Sequence, residues 1–136
     1  DPQYGKFPAW VRTLPQRLAP LGYRSYHSGK WHVGNTPRVV ADAGFDHSYH
    51  VAKQDNHFHP QRHELDDKPL PEPKGQWYSS IAIADHAIDF LKEHAQQHAG
   101  TPFFSYVAFT APHFPIQALP EDIAKYKDTY TQGWPK

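Results

Sequence analysis

Residues 103–109 read FFSYVAF, a nearly continuous apolar run of strand length. Such a run is typical of a β-strand that is covered on both faces. The following residues, 110–115, read TAPHFP, and their two prolines end the strand. We therefore expect a buried strand whose carboxyl end opens directly into a conformationally restricted turn.

A helix precedes this strand and another follows it. From residue 79 or 80 to about residue 98, apolar side chains recur at helical spacing before a glycine and a proline end the pattern. A last helix is indicated from Pro120, because two acidic residues come first and lysines come later, which suits the helix dipole. We expect the following stripe of the longer helix to pack on the sheet: Ile81, Ala84, Ile88, Leu91 and Ala95.

A second helix and strand lie nearer the amino terminus. Residues 13–22 begin with a capping Thr, carry a proline in the first turn and end at Gly22, which predicts a short amphipathic helix. Residues 23–27 are β-prone and lead into a polar loop, 28–34. The order of elements predicts an α/β fold with a mostly parallel sheet flanked by helices.

The middle of the chain lacks a sustained period. Residues 35–76 contain five prolines and five histidines, so we expect a long irregular loop region that shapes a substrate pocket. His57, His59 and His63 are expected to be solvated loop histidines. The alternative is a His-rich metal-binding module, since imidazole suits Zn, Cu and Ni, but no Cys and no H-E-x-x-H helix supports it.

Composition excludes several classes of function. The chain has no Cys, which rules out disulfides, thiolate zinc sites and a cysteine nucleophile within these 136 residues. Zero formal net charge argues against a nucleic-acid partner, and no run approaches the roughly 18 apolar residues of a membrane span. Mean hydropathy is −0.79, yet 8 Phe, 8 Tyr and 4 Trp favour a folded chain. We expect core packing rather than a sugar-binding platform for Trp31, Trp77 and Trp134.

Two polar clusters, 29–32 and 110–113, come directly after the predicted strands. Sites in parallel sheets lie beyond the carboxyl ends of the strands. Lys30 and His32 could present an ammonium and an imidazole toward one point. Prolines at 112 and 115 restrict the backbone around His113. These three residues are the candidates for catalysis, and Lys30 and His113 also for substrate binding.

Two segments carry a family resemblance. Residues 22–34, GYRSYHSGKWHVG, resemble the G-Y-x-T-x-x-x-G-K-W-H-x-G segment of the type I sulfatases, with Ser25 in place of the usual Thr. Residues 102–115, PFFSYVAFTAPHFP, resemble their P-F-F-x-Y-x-x-x-x-x-P-H-x-P strand and loop. Residues 43–46 and 126–134 are similar as well, so the resemblance runs along essentially the whole chain.

The resemblance implies sulfate-ester hydrolysis on an alkaline-phosphatase-like α/β fold, with a formylglycine made from Cys or Ser and a bound Ca²⁺. In the family, the Lys matching Lys30 contacts the sulfate and the formylglycine hydroxyl. The His matching His32 helps remove a proton from the sulfated formylglycine so that sulfate is expelled. The His matching His113 binds the sulfate or assists the leaving alcohol.

Other family motifs are absent from these residues. The C/S-x-P-S-R segment that carries the formylglycine precursor is not found, nor are the Asp and Asn motifs that hold Ca²⁺. We therefore expect residues 1–136 to be the central fragment of a single catalytic domain, without metal ligands, inactive alone and partnered by the rest of that domain. A sulfated small molecule or carbohydrate is the expected substrate, and the resemblance implies a periplasmic or secreted protein. A phosphodiester or phosphonate monoester hydrolase of the same superfamily is the alternative.

Overall fold

The computed structural model describes residues 8, 10–34, 36–53 and 57–133. These residues form three α-helices and five β-strands, and the five strands form one sheet. In chain order the elements are α1 (Leu14–Leu18), a 3₁₀ turn (Ala19–Leu21), β1 (Arg24–Gly29), β2 (His47–Val51), β3 (His63–Leu65), β4 (Lys68–Pro69), α2 (Ser79–Gln97), β5 (Phe103–Ala108) and α3 (Pro120–Tyr126).

The sheet has the strand order β4-β3-β2-β1-β5. β1 is parallel to both of its neighbours, β2 and β5, whereas β3 and β4 add an antiparallel extension. The expected α/β class is confirmed, and the sheet is mixed. The two strands that the sequence predicts near residues 23–27 and 103–109 are β1 and β5, and they are parallel neighbours.

The amino-terminal helix is shorter than the predicted span of 13–22. Thr13 and Gln16 form the predicted cap, in which each side chain bonds the backbone amide of the other residue at 3.1 and 3.4 Å. A 3₁₀ turn follows α1 because Pro20 cannot donate the next α-helical hydrogen bond. Gly22, with φ of 82°, then reverses the chain into β1.

α2 has nearly the predicted bounds, but the predicted buried face is wrong in part. Leu91 packs against the core, whereas Ile81 and Ile88 are 50% and 47% exposed. The helix carries a second stripe at helical spacing, and this stripe meets the sheet, where the Ser28 hydroxyl on β1 donates to the Ile83 carbonyl at 2.7 Å. The buried stripe is Ser79, Ile83, Ala87, Phe90 and His94.

Two apolar clusters cover opposite faces of the sheet. The cluster under α2 consists of Tyr26, Tyr49, Val51, Ile83 and Phe90, with Trp77 packed against it. The other cluster consists of Val39, Ala43 and Phe45, with Trp31 and Phe104 packed against it. The two tryptophans therefore pack as expected for core residues, and Trp134 lies outside the described residues.

The expectation of an irregular region over residues 35–76 is wrong in part, because β2, β3 and β4 lie within it. β2 is central in the sheet, and its side chains alternate between the two faces. Ser48 and His50 point to one face, while Tyr49 and Val51 join the cluster under α2. Sequence reasoning missed this alternation because the polar positions are themselves covered: Ser48 is 1% exposed and bonds the His27 imidazole at 2.8 Å.

β5 is not covered on both faces within the described residues, which corrects the interpretation of its apolar run. It is an edge strand of this sheet, and Phe103, Tyr106 and Val107 on it are exposed. Its unpaired side faces away from β1. The apolar run thus exceeds what this part of the chain can bury.

Buried histidines join loops to the sheet, which corrects the expectation of solvated imidazoles at His57 and His63. The Nε2 atom of His63 lies 2.9 Å from the Pro71 carbonyl and its Nδ1 lies 3.1 Å from the Tyr49 hydroxyl. Because a carbonyl only accepts, Nε2–H donates there and Nδ1 accepts from the hydroxyl. His94 repeats this arrangement with Thr101 and Tyr26. We use the name imidazole strap for a buried histidine whose Nε2 is bonded to a loop carbonyl and whose Nδ1 is bonded to a hydroxyl. His59 is exposed, as expected.

Candidate active site

The carboxyl ends of β1 and β5 are joined by their backbones. Gly29 lies opposite Ala108, and the amide of Lys30 donates to the Ala108 carbonyl at 2.9 Å. The turns that carry Lys30 and His113 therefore leave the same edge of the sheet from adjacent strands.

Gly29 allows this close approach. Its φ is 125°, and a Cβ atom there would lie 2.0 Å from the Ala108 carbonyl oxygen. No side chain fits that space, and the backbone conformation also disfavours any residue other than glycine. Gly29, in the segment 22–34, thus allows β1 and β5 to approach each other closely at their carboxyl ends.

The Lys30 side chain is half-buried, and its ammonium donates to the carbonyl of Ala52, just beyond β2. The ammonium therefore lies over the ends of β1 and β2. Its charge reaches His50: burial lowers the pKa of that imidazole, Glu64 opposes the shift, and Lys30 and Arg62 add to the lowering.

A second buried imidazole lies beneath Lys30. His27 is 0% exposed, and burial lowers its pKa to about 4, with the Lys30 backbone opposing and His50 adding to the shift. The rings of His27 and His50 are 6.4 Å apart, and their Nε2 atoms are buried without hydrogen-bond partners among the described residues. Sequence reasoning missed this pair, because the pairing of β1 with β2 creates it.

His32 and His113 are both exposed at this edge. The His113 amide closes a turn onto the Thr110 carbonyl at 3.0 Å, and Nδ1 donates to the Phe114 carbonyl at 2.5 Å. Because Nδ1 carries the hydrogen, the lone pair of the neutral ring is on Nε2. His113 can therefore exchange a proton through Nε2.

A buried polar group supports the His113 turn from below. It consists of His57, Ser79 and Thr110, which are 1%, 1% and 5% exposed. The His57 Nε2 atom lies 3.2 Å from the His113 carbonyl, so His57 is a third imidazole strap. Sequence reasoning missed its contact with the site, since 56 residues separate the two histidines.

The edge combines one ammonium with two exposed imidazoles. A lysine gives an anionic oxygen a positive partner, and histidines transfer protons near neutral pH. A groove of about 560 Å³ lies elsewhere, lined among others by Phe58, Trp77 and Tyr78, and none of the three candidates lines it. Among the described residues, no group of three or more His, Cys, Asp or Glu could hold a metal ion. Nor does any helix of that part of the chain have the length and apolarity to cross a membrane.

Comparison with known proteins decides the family. The sulfatase family model matches residues 2–136. The chain belongs to the sulfatase family. An uncharacterized sulfatase of Schizosaccharomyces pombe is 35% identical over 140 residues, which cover 90% of this chain and 25% of that protein. The arylsulfatase of Klebsiella aerogenes is 31% identical, covering 91% of this chain and 29% of the enzyme.

A further sulfatase and two solved structures are also similar to this chain. The human N-acetylgalactosamine-6-sulfatase is 31% identical over 84% of this chain and 24% of its own length. The structure of BT4656 in complex with its substrate D-glucosamine-2-N,6-O-disulfate superposes with a TM-score of 0.71 at 26% identity, covering 96% of this chain and 24% of that one. Ps i-CgsB in complex with k-i-k-neocarrahexaose gives 0.68 at 27% identity, covering 82% and 29%. The chain thus spans about a quarter of the length of the curated relatives it matches.

Proposed function

We propose that the full-length protein hydrolyses sulfate esters and that Lys30, His32 and His113 belong to its active site. The observation that carries this proposal is the backbone bond between Lys30 and Ala108. It joins the two segments of family resemblance, 22–34 and 102–115, at one sheet edge in a member of the sulfatase family.

Each of the three residues has a role that its chemistry supports. The Lys30 ammonium, fixed over the strand ends by Ala52, attracts an anionic sulfate oxygen and the charge that develops on it. His32, exposed in the same turn, accepts a proton on the side of the nucleophile. His113 binds the ester or donates a proton from Nε2 to the leaving alcohol, for which the ring must first be protonated.

The described residues do not fit the calcium site that the family implies, since they include no suitable ligand group. The sequence also has no Cys and no C/S-x-P-S-R segment that would carry a formylglycine precursor. We therefore assign the formylglycine and Ca²⁺ to other parts of the full-length protein, and the 136-residue chain alone is expected to be inactive. Lys30, His32 and His113 can position the sulfate ester and transfer protons, but they cannot replace the nucleophile.

The rest of the catalytic domain is the partner that this chain requires. The exposed face of α2, which includes Ile81 and Ile88, and the unpaired side of β5 are apolar surfaces of the kind that a folded domain covers. We place the rest of the domain against both of these surfaces.

A sulfated carbohydrate is the substrate class that the comparisons favour. The substrate bound to BT4656 is a disulfated glucosamine, and the human relative is named for N-acetylgalactosamine 6-sulfate chemistry. On the family resemblance, we propose a periplasmic or secreted location.

The test is turnover by the purified full-length protein of 4-nitrophenyl sulfate and of glucosamine 6-sulfate, beside bis(4-nitrophenyl) phosphate. We expect release of nitrophenol and inorganic sulfate, with the phosphodiester hydrolysed much more slowly. Faster hydrolysis of the phosphodiester would instead support the alternative hydrolase of the same superfamily. Activity of the 136-residue chain alone would contradict the assignment of the nucleophile to another part of the protein.

A further inference from the structure

The His113 turn is fastened to the loop before α2 at two points, both at His57. The His57 amide donates to the Gln117 side-chain oxygen at 2.9 Å, and its ring nitrogen Nε2 lies 3.2 Å from the His113 carbonyl. His57 is 1% exposed. Both contacts are partly buried, and each has its His57 end in the protein interior, where a polar group left without a hydrogen-bond partner is costly.

The partners of His57 fix its hydrogen positions. The His113 carbonyl only accepts, so Nε2–H must donate to it and Nδ1 of the neutral ring must accept. Nδ1 lies 3.1 Å from the Ser79 hydroxyl and 3.2 Å from the Thr110 hydroxyl, and the two hydroxyls are 3.0 Å apart. Hydrogen bonds thus connect Thr110 and Ser79 through the His57 ring to the His113 carbonyl.

These hydrogen bonds hold both ends of the turn formed by residues 110–113. Thr110 and His113 are themselves joined by the amide-to-carbonyl bond that closes the turn. The His113 side chain is exposed, so its place depends on the backbone that carries it. We propose that His57 is a positioning residue for His113: it holds the backbone of residues 110–113 so that the His113 imidazole meets the substrate. The catalytic part of this inference rests on the proposed function, and the geometric part does not.

His63 supplies a matched control. It is also a buried imidazole strap, with Nε2 bonded to a loop carbonyl and Nδ1 bonded to a hydroxyl. Its loop carbonyl belongs to Pro71, which is not in the His113 turn. Replacing His63 therefore removes the same kind of bond without touching that turn.

The geometric test is hydrogen exchange in the full-length protein. We expect His57→Ala to speed deuterium uptake by the peptide covering residues 110–117, with little change there for His63→Ala. His57→Gln retains an amide that can donate to a carbonyl and an oxygen that can accept from Ser79, so uptake should return toward the wild-type rate. Unchanged uptake in His57→Ala would overturn the proposal, as would an equal increase in His63→Ala.

The kinetic test uses 4-nitrophenyl sulfate and phenyl sulfate, whose leaving groups differ in their need for a proton. We expect His57→Ala to lower kcat/KM by about tenfold or more, since small displacements of a catalytic group cost rate steeply. The loss should be larger for phenyl sulfate, largely restored in His57→Gln, and less than twofold when His57→Ala is added to His113→Ala. A loss that is equal for both substrates and additive with His113→Ala would overturn the catalytic part.

The hydrogen-exchange test and the kinetic test together distinguish failure of this inference from failure of the proposed function. If the wild-type protein hydrolyses neither sulfate ester while His57→Ala still loosens residues 110–117, the proposed function fails and the geometric inference stands. If His57→Ala does not fold, the comparison of His57→Gln with His57→Leu gives the same test, because Leu fills the space without the donor.

Discussion

Gly29 and Ala108 touch through backbone alone: the Ala108 carbonyl oxygen occupies the space that a side chain at residue 29 would need, 2.0 Å from the ideal Cβ position. Because the same oxygen accepts from the Lys30 amide, the contact sets the distance between the two turns of the candidate site. The glycine therefore governs how the two family segments meet.

Gly29→Ala should be strongly destabilising, by more than about 3 kcal/mol, since neither backbone partner can yield without separating β1 from β5. The matched control is Gly100→Ala, which also has positive φ, 86°, but open space around the missing side chain. Its cost should be limited to backbone strain of about 1–2 kcal/mol. Denaturant unfolding of the full-length variants measures both, and equal costs would contradict the steric argument.

Lys30→Ala should lower kcat for 4-nitrophenyl sulfate by about 100-fold or more, the order expected when a charge on a developing anion is removed. Lys92→Ala serves as the control, because Lys92 is an exposed lysine whose ion pair with Asp89 is on the surface. Near wild-type kcat in Lys30→Ala would contradict a role of the ammonium in catalysis.

His32→Ala and His113→Ala should differ in their dependence on the leaving group. If His113 protonates the leaving alcohol, the loss in His113→Ala grows as the alcohol becomes a poorer leaving group. In the proposed mechanism His32 accepts a proton on the side of the nucleophile, so the loss in His32→Ala should be similar for a series of substituted phenyl sulfates. Steady-state rates across that series test the contrast, and parallel slopes for the two variants would contradict these roles.

Acid should destabilise the fold through His27. Its pKa is about 4 when folded, against an ordinary value of 6.5, so the unfolded chain binds a proton more readily between these limits. The stability it contributes is complete above pH 6.5 and is lost as the pH falls toward 4. Between pH 7.5 and 5 this amounts to about 2 kcal/mol.

His27→Leu should therefore lessen the pH dependence of the unfolding free energy over that interval, whatever its effect at pH 7.5. His59→Gln, which replaces an exposed imidazole in a loop, should leave the pH dependence as it is in the wild type. Chemical denaturation at both pH values makes the comparison, and an unchanged slope in His27→Leu would count against a buried neutral imidazole.

Tyr26→Phe should cost about 1–3 kcal/mol, because it leaves the buried Nδ1 of His94 without its hydroxyl donor. The bond joins β1 to the carboxyl end of α2, so the loss appears in global unfolding. Tyr130→Phe, at a residue that is 79% exposed, should change stability by less than about 0.5 kcal/mol. Thermal unfolding of the two variants separates the buried bond from a general effect of the substitution.

The sequence predicts those helices and strands that have a regular spacing of apolar residues and a Gly or Pro at their ends. The helix at residues 79–97 and the strand at 103–108 are predictable because their hydrophobic patterns are long and their ends are marked by Gly and Pro. The candidate residues His32 and His113 are predicted to share an edge because both follow strands, and the parallel pairing of β1 with β5 brings the two turns together.

The rest depends on long-range polar contacts that no local pattern reveals. β2 escapes prediction because covered imidazoles and hydroxyls occupy its polar positions. The buried face of α2 is misassigned in part because that face includes polar Ser79 and His94, and His94 is bonded to Tyr26 on β1. The interpretation of His57 as solvated is wrong for the same reason, since its partners lie 22 and 56 residues away. Buried polar pairs of this kind arise only once the strands are placed.

The open side of β5 has a consequence for handling the protein. Among the described residues, no strand pairs with the outer edge of β5, so its amides and carbonyls can bond another chain. The exposed side chains of Phe103, Tyr106 and Val107 add apolar surface beside that edge. Expressed without the remainder of its domain, the 136-residue chain would be prone to aggregate by intermolecular strand pairing at β5. Low solubility of the 136-residue chain would then reflect the unpaired edge of β5 rather than poor packing of the hydrophobic core.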